Sequence, residues 1–183
     1  MSRLTPEEGA ELLQIAADAL RLWIICNESY RGAPVHPALL EPGAAFVTLK
    51  KDRQLRGCIG RLIPSCPLFK AVADCAVAAA TQDPRFDPIT RQELTQCSLD
   101  VSVLSPLEVI EDTSLIEIGK HGVYVEKGGH RGVLLPQVAV ELNLDRERFL
   151  DLTCGKAGLP ADAWKHGATI KVFSTQVFHS EKI

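Results

Sequence analysis

The chain has 183 residues, of which 46% are hydrophobic and 23% are charged, and its formal net charge is −3. This length supports one well-buried core and is short for two independent domains. Intrinsic disorder needs low hydrophobicity and high net charge, and this composition has neither. No apolar run approaches the roughly 18–20 residues that cross a bilayer, so we expect no membrane association.

The N-terminus and the cysteines both indicate a reducing compartment. Residues 1–8 lack the apolar core of a signal peptide and become acidic at Glu7, so we expect a cytoplasmic protein. The six cysteines form no CxxC pair and no Cys/His group with zinc spacing, so we expect neither a disulfide nor a metal. Residues 154–158 contain glycines and a lysine but lack the Walker A spacing, and we expect no cofactor.

The first predicted element is a helix. Thr5 has the pattern of an N-cap, Pro6 occupies the first helical position, and Glu8 completes a capping box. Apolar residues recur at helical spacing as far as Trp23, and we expect the helix to run to about residues 30–32.

A tight hairpin is predicted next, with strands at residues 45–51 and 54–60 joined at Asp52-Arg53. Arg53 occupies a position where glycine is usual in a primed turn. A second helix begins at Pro67 and ends near Gln82, because Pro84 disfavours helical geometry in the residue before it.

The remainder of the chain predicts an α+β fold. Further elements are a short helix opened by Thr90, a strand at residues 98–103, a hairpin of residues 121–126 and 131–135, a helix at residues 145–154 and a strand at residues 169–173. Hairpins outnumber βαβ crossovers, so we expect a mainly antiparallel or mixed sheet with packed helices, in a single domain spanning residues 1–183. We expect the following residues to be buried: Leu12, Ile15, Ala19, Trp23, Leu68, Val72, Cys75, Leu99, Val101, Val103 and Phe149.

Positive charge is concentrated around the first hairpin. Residues 44–73 contain six basic residues and one acid, a net charge of +5 in a chain of −3. Such asymmetry can mark a surface that attracts phosphate or carboxylate groups. Exposed strand edges are also commonly covered with lysine, which prevents aggregation. Both interpretations stay open.

The segment from Leu55 to Gly60 is the first candidate site. The period of a strand places Arg56, Cys58 and Gly60 on one face and Leu55, Gly57 and Ile59 on the other. Glycines inside a strand indicate a bulge or a closely approached backbone. A thiol beside an arginine suits thiolate chemistry, because positive charge favours a thiolate. Alternatively, Cys58 is a small core residue and Arg56 pairs with a carboxylate elsewhere.

Two other segments carry candidate residues. Asp83 and Arg85 flank a proline that stiffens the backbone after a helix, which suits the holding of a side chain in place. The alternative is a helix terminator with a local ion pair. His121 opens a predicted strand and could act as a general base for Cys58, although a lone histidine is more often structural.

Six ordered segments resemble one known family. They are residues 46–51, 55–60, 83–86, 101–104, 135–138 and 156–159. They closely resemble the AMMECR domain family, whose bacterial and archaeal members are called AmmeMemoRadiSam system protein A, and the resemblance covers about the whole chain. It implies a compact α+β fold of two unequal lobes forming a cleft, with the Arg-Gly-Cys motif near that cleft. It also implies two encoded neighbours, a Memo-like protein and a radical S-adenosylmethionine protein, but no established activity. The chain departs from the family at Arg53, where glycine is common.

Three hypotheses about function follow. The first is a cysteine-dependent enzyme or catalytic subunit for an anionic substrate, with Arg56, Arg85 and Asp83 at the substrate, Cys58 as nucleophile or redox thiol, and His121 as proton carrier. These side chains would converge on one concave site. The alternative is a non-catalytic binding or scaffold module for the Memo-like and radical S-adenosylmethionine proteins. RNA binding is a weaker third hypothesis, because the basic stretch has few aromatic residues and the whole chain is acidic.

Overall fold

The computed structural model describes residues 3–183, so Met1 and Ser2 of the predicted N-terminal stretch lie outside the described residues. Helices α1 to α5 span Pro6–Arg21, Leu68–Thr81, Arg91–Leu94, Pro136–Glu141 and Arg146–Lys156. Strands β1 to β7 span Ala44–Lys51, Gln54–Arg61, Cys97–Leu104, Glu108–Ile110, His121–Lys127, His130–Leu134 and Thr169–Ser180. Among residues 3–183, no helix has the length and apolar character needed to cross a membrane.

The chain divides into two compact units of unequal size. Unit 1 contains the residues up to Leu104 together with Gln176–Ile183, and unit 2 contains Ser105–Thr175. Strand β7 contributes residues to both units. The predicted α+β class is confirmed, because each unit packs helices on antiparallel strands.

In unit 1, helices α1 and α2 cover one face of a sheet. The strand order is β2-β1-β3, with the C-terminal part of β7 beside β3, and β1 pairs antiparallel with both β2 and β3. The core includes Leu12, Leu20, Val47, Leu49, Leu68, Val72, Leu99 and Val101, each at most 1% exposed. Burial of each large apolar side chain stabilises the fold by about 1.5–3 kcal/mol. The residues predicted to be buried are buried, except Trp23.

Helix α1 begins as predicted and ends earlier than predicted. Both bonds of the capping box form, between the Thr5 hydroxyl and the Glu8 N–H and between the Glu8 carboxylate and the Thr5 N–H. After Arg21 the chain makes one π-helical turn, Leu22–Cys26, and Asn27 then closes it with φ of +56°. Asparagine tolerates this left-handed conformation, and it stops the helix before residues 30–32. The extra residue in a π turn shifts the side-chain phase, so Trp23 is half-buried rather than in the core.

The predicted hairpin of β1 and β2 is confirmed, with a bulge that changes its phase. Asp52 and Arg53 have φ of +52° and +64°, the signature of a type I′ turn. Leu49 pairs with Gly57 whereas Lys50 pairs with Leu55, so Arg56 is the extra residue. The expectation that Leu55 shares a face with Gly57 is therefore wrong. Leu55 lies on the face of Lys50 and is 40% exposed.

The close backbone approach that was predicted from the glycines also occurs in β2. A Cβ at Gly57 would lie 2.0 Å from the backbone oxygen of Ala79 in α2, and a Cβ at Gly60 would lie 2.2 Å from the Phe46 ring. Glycine at position 57 thus allows helix α2 to pack directly on β2.

Unit 2 has its own antiparallel strand pairs and its own core. Strand β7 pairs antiparallel with β4 and β5. Strand β5 pairs with β6 in the predicted hairpin, whose turn is Gly128-Gly129. Helix α5 packs on β5 and β6, burying Phe149, Leu150 and Cys154. The short helix α4 was not predicted from the sequence, because six residues are too few for a clear helical period.

Candidate functional site

Cys58 lies on the edge strand of unit 1, on the face opposite helices α1 and α2. We call this the outer face; the core residues Val47 and Leu49 point the other way. The Cys58 side chain is half-buried, and its Sγ accepts a hydrogen bond of 3.2 Å from the hydroxyl of Thr48, its cross-strand partner. The thiol is thus held in a defined position without being enclosed in the core.

The Asp83 carboxylate fixes the backbone at Cys58. Its side chain is only 2% exposed and accepts four hydrogen bonds: from the Cys58 N–H at 2.8 Å, and from the Arg85 N–H, Nε and Nη2 at 3.1, 2.9 and 2.7 Å. The Arg85 guanidinium, and then the Cys58 N–H, hold the pKa of Asp83 far below its usual range. Asp83 is therefore ionised, and it satisfies a backbone donor that the sheet edge leaves unpaired.

Arg85 completes this ion pair and remains 54% exposed along its side chain. Its bidentate hydrogen bonding to Asp83 raises the pKa of the guanidinium. The guanidinium carbon lies 5.6 Å from the centre of the Phe86 ring, within the range of a cation–π contact. Arg85 thus has an anchored inner edge and an accessible outer part.

Arg56 is paired more completely than Arg85. Its Nε and Nη2 each donate to the Glu93 carboxylate at 3.3 Å, and its Nη1 donates to the Asp87 carbonyl at 2.8 Å. It also lies 5.9 Å from the centre of the Phe86 ring. Hydrogen bonds from Arg56, and then from the Thr90 N–H, lower the pKa of Glu93 to about 2. The alternative to thiolate chemistry was that Arg56 pairs with a carboxylate and Cys58 is a core residue. Arg56 does pair with a carboxylate, but Cys58 is only half-buried.

His121 belongs to unit 2 and opens strand β5. Its Nδ1 accepts a hydrogen bond of 3.2 Å from the Glu117 N–H. A neutral imidazole with Nδ1 as acceptor carries its proton on Nε2. The structure therefore brings Arg56, Cys58, Asp83 and Arg85 together in unit 1, and the meeting of His121 with Cys58 stays a prediction.

Further polar residues on the outer face were not identified from the sequence. Asp100 is the partner of Thr48 on β3, and its two carboxylate oxygens contact His179 Nδ1 at 2.5 Å and Lys50 Nζ at 2.7 Å. Asp100 is 14% exposed and His179, on β7, is 52% exposed. Cys58, Thr48, Asp100 and His179 thus lie on four neighbouring strands. At about 4.8 Å per strand, the strands that carry Cys58 and His179 are about 14 Å apart.

The basic stretch is largely compensated by carboxylates. Four of its cations form ion pairs: Lys50 with Asp100, Lys51 with Glu93, Arg56 with Glu93, and Arg61 with Asp74. The concentration of positive charge seen in the sequence is therefore much weaker on the folded surface.

The cysteines have contrasting environments. Cys26 is exposed, Cys58 and Cys66 are half-buried, and the other three are buried. Burial raises the pKa of Cys75 to about 11 and also raises the pKa of Cys97 and Cys154. Within the described part of the chain, no three His, Cys, Asp or Glu side chains form a group that could hold a metal ion.

Comparison with known proteins identifies the family. The AMMECR1 family model matches residues 13–178. The chain belongs to the AMMECR1 family. It is 43% identical to Protein MK0488 of Methanopyrus kandleri over 190 residues, covering 98% of this chain and 92% of that protein. It is 39% identical to Protein PF1979 of Pyrococcus furiosus over 193 residues, covering 99% and 92%. The crystal structure of the uncharacterized protein PH0010 from Pyrococcus horikoshii matches with a TM-score of 0.92 at 36% identity, covering 98% of this chain and 94% of that one.

The AMMECR1 match confirms the resemblance found in the sequence. It includes most of both units, together with Cys58, Asp83, Arg85 and His121. His179 lies one residue beyond the matched range.

Proposed function

We propose that this AMMECR1-family protein is a cysteine-dependent enzyme or catalytic subunit that acts on a small anionic molecule at the outer face of unit 1. The observation that carries the proposal is the environment of Cys58. Its thiol is half-buried and bonded to the Thr48 hydroxyl, and its backbone is held by the buried Asp83 carboxylate. A nucleophile needs this combination of access and fixed position.

The two arginines have different roles in this proposal. The side chain of Arg85 is 54% exposed, and its guanidinium contacts the anionic group of the substrate. Arg56 is occupied by Glu93 and the Asp87 carbonyl, so it orders the loop around Phe86. Asp83 lies at the edge of the substrate site and positions Cys58 and Arg85 rather than contacting the substrate, because four donors already occupy it.

The proton carrier has two candidates. His121, with its proton on Nε2, is a donor in its neutral form. His179 is oriented by Asp100 through Nδ1, which leaves Nε2 available for proton exchange. Because the strands that carry His179 and Cys58 are about 14 Å apart, His179 would exchange a proton with the substrate rather than with the thiol.

Thiol labelling tests the nucleophile directly. We expect iodoacetamide at neutral pH to alkylate Cys58 several-fold faster than Cys26, an exposed thiol that serves as the control. Thr48→Val should reduce this difference. The measurement is peptide mass spectrometry of the native protein across a pH series. A Cys58 that labels no faster than Cys26 would remove the nucleophile from the proposal.

A binding module is the second candidate, and the pairing of the arginines favours it. Both Arg56 and Arg85 already contact carboxylates, so the surface is ordered but largely compensated in charge. In this case the protein would scaffold the Memo-like and radical S-adenosylmethionine proteins. Purified partners would then bind the wild type and Cys58→Ser equally, and Cys58 would show no enhanced labelling.

RNA binding remains the third candidate. Four of the cations in the basic stretch are paired with carboxylates, which weakens the attraction for phosphate. We therefore expect at most weak binding of single-stranded RNA at low salt, and its loss at moderate salt, measured by fluorescence anisotropy.

A further inference from the structure

A cavity in unit 1 lies where the end of α1 faces α2. Its volume is about 300 Å³, and its lining includes Trp23, Tyr30, Arg61 and Asp74. Ligand sites occupy about 300–1,000 Å³, so this cavity suits a molecule of about a dozen non-hydrogen atoms. Cys58 is not among its lining residues, which separates it from the proposed thiol site.

Small residues and the π turn together create this space. Ala19, Ala73 and Ala78 leave room between the helices that larger side chains would fill. The π turn also rotates Trp23 away from the core-facing side of the helix, so Trp23 lines the cavity. Such single π turns occur frequently at functional sites.

Two aromatic side chains line this cavity. The chain contains two tryptophans and two tyrosines, and one of each, Trp23 and Tyr30, lines it. Both are half-buried. Offset or edge-to-face contacts with these rings would favour an aromatic ligand.

The polar groups of the wall carry opposite charges. Arg61 Nη2 lies 3.3 Å from Asp74 Oδ2, and both side chains are more than 40% exposed. An exposed pair of this kind contributes little stability, so exchanging it for ligand contacts costs little. A guanidinium binds a carboxylate in a bidentate manner, and the neighbouring carboxylate binds an ammonium group.

We infer that this cavity binds a small aromatic α-amino acid. Its ring would contact Trp23 and Tyr30, its carboxylate would contact Arg61, and its ammonium group would contact Asp74. The site is independent of the chemistry proposed at Cys58, and its occupancy requires no reaction.

Three probe molecules separate the contributions of the ligand groups. L-phenylalanine carries both charged groups, 3-phenylpropionate carries the carboxylate alone, and phenethylamine carries the ammonium alone. The Trp164→Phe variant, changed in unit 2, leaves Trp23 as the sole indole and therefore as the fluorescent reporter. Calorimetric titration of the wild-type protein gives the same affinities without that substitution.

We expect L-phenylalanine to change the Trp23 emission saturably and to bind at least tenfold more tightly than either single-charge probe. Ala78→Leu should fill the cavity and abolish binding, and Arg61→Gln should weaken binding about tenfold. Arg131→Gln, which alters an exposed ion pair of unit 2, is the matched control and should leave the affinity unchanged. If circular dichroism shows that Ala78→Leu does not fold, the affinity of Arg61→Gln still tests the inference.

Three results would overturn the inference. One is the absence of saturable binding of L-phenylalanine to the wild-type protein. The second is equal affinity for L-phenylalanine and 3-phenylpropionate, and the third is an unchanged affinity in Arg61→Gln, because in either case the charged groups would not be recognised.

Discussion

The buried Asp83 carboxylate accepts a hydrogen bond of 2.8 Å from the backbone N–H of Cys58. This bond ties the loop after α2 to the edge strand of unit 1. Because the same carboxylate also accepts three hydrogen bonds from Arg85, one buried charge orders both the thiol strand and the exposed guanidinium. The position of Cys58 therefore depends on Asp83.

Replacement of Asp83 tests that dependence. We expect Asp83→Ala to lower the free energy of unfolding by about 2–3 kcal/mol, because it removes charge-assisted hydrogen bonds and leaves the Cys58 N–H without an acceptor. Asp83→Asn keeps one acceptor oxygen and should cost less. Glu117→Ala, in an exposed pair with Lys120, is the control and should change stability by less than about 0.5 kcal/mol. Urea unfolding measures all three variants. If Asp83→Ala lowered the free energy of unfolding no more than Glu117→Ala, the structural role of Asp83 would be contradicted.

Acid should destabilise the protein through Glu93. Its pKa falls from an ordinary 4.5 to about 2 in the folded protein, mainly because of Arg56. A lowered folded-state pKa stabilises the fold above the unfolded pKa, and this contribution is lost as the pH falls through the folded pKa. We expect Glu93→Gln to be less stable than the wild type at pH 6, and the difference to shrink between pH 5 and pH 2. A difference independent of pH would mean that the charge of Glu93 contributes nothing.

Local signals in the sequence predicted the starts of elements better than their ends. The Thr5 and Thr90 capping boxes involve only residues three apart, and both form. The end of α1 depends on a left-handed Asn27, and no spacing rule revealed the π turn before it. The bulge at Arg56 was suggested by the glycines, but its exact position depends on pairing with β1, so the face of Leu55 was predicted wrongly.

In the candidate site, too, residues in distinctive local segments were predicted and contacts between distant segments were not. Arg56, Cys58, Asp83 and Arg85 were found because each lies in a short unusual segment. Glu93 and the pair of Asp100 and His179 depend on contacts between residues far apart in the sequence, 37 residues for Arg56 and Glu93 and 79 for Asp100 and His179. Asp100 lies on the outer face of β3, opposite Thr48 of β1. To predict which residues surround Asp100, one needs the strand register and the extension of β7 to Ser180. The sequence pattern contains neither.

The turn at Arg53 offers a stabilising substitution. Arg53 has φ of +64°, where a side chain is strained and glycine is not. We expect Arg53→Gly to raise the free energy of unfolding by about 0.5–1 kcal/mol, since relief of this strain exceeds the added entropy of the unfolded chain. Arg53→Ala keeps a Cβ and should give no such gain. Equal stability of the two variants in thermal unfolding would show that the turn is not strained.

The two glycines of β2 should respond very differently to alanine. A Cβ at Gly57 would lie 2.0 Å from the backbone oxygen of Ala79, which cannot move without displacing α2 from the sheet. A Cβ at Gly60 would meet only the Phe46 ring, at 2.2 Å, and that ring belongs to a half-buried side chain that can rotate. We therefore expect Gly57→Ala to cost about 3 kcal/mol and Gly60→Ala about 1 kcal/mol in urea unfolding.

Gly155 provides the control for this pair. It lies in α5, and a Cβ added there would have no neighbouring atom within 4 Å, so Gly155→Ala should stabilise the protein by about 0.5–1 kcal/mol through helix propensity. Gly57→Ala should also reduce the labelling advantage of Cys58, because displacement of β2 from α2 weakens the bond from the Cys58 N–H to Asp83, which holds the thiol in position. If Gly57→Ala were no more harmful than Gly60→Ala, the packing of α2 on β2 would tolerate a side chain, and the position of the thiol would not depend on that contact.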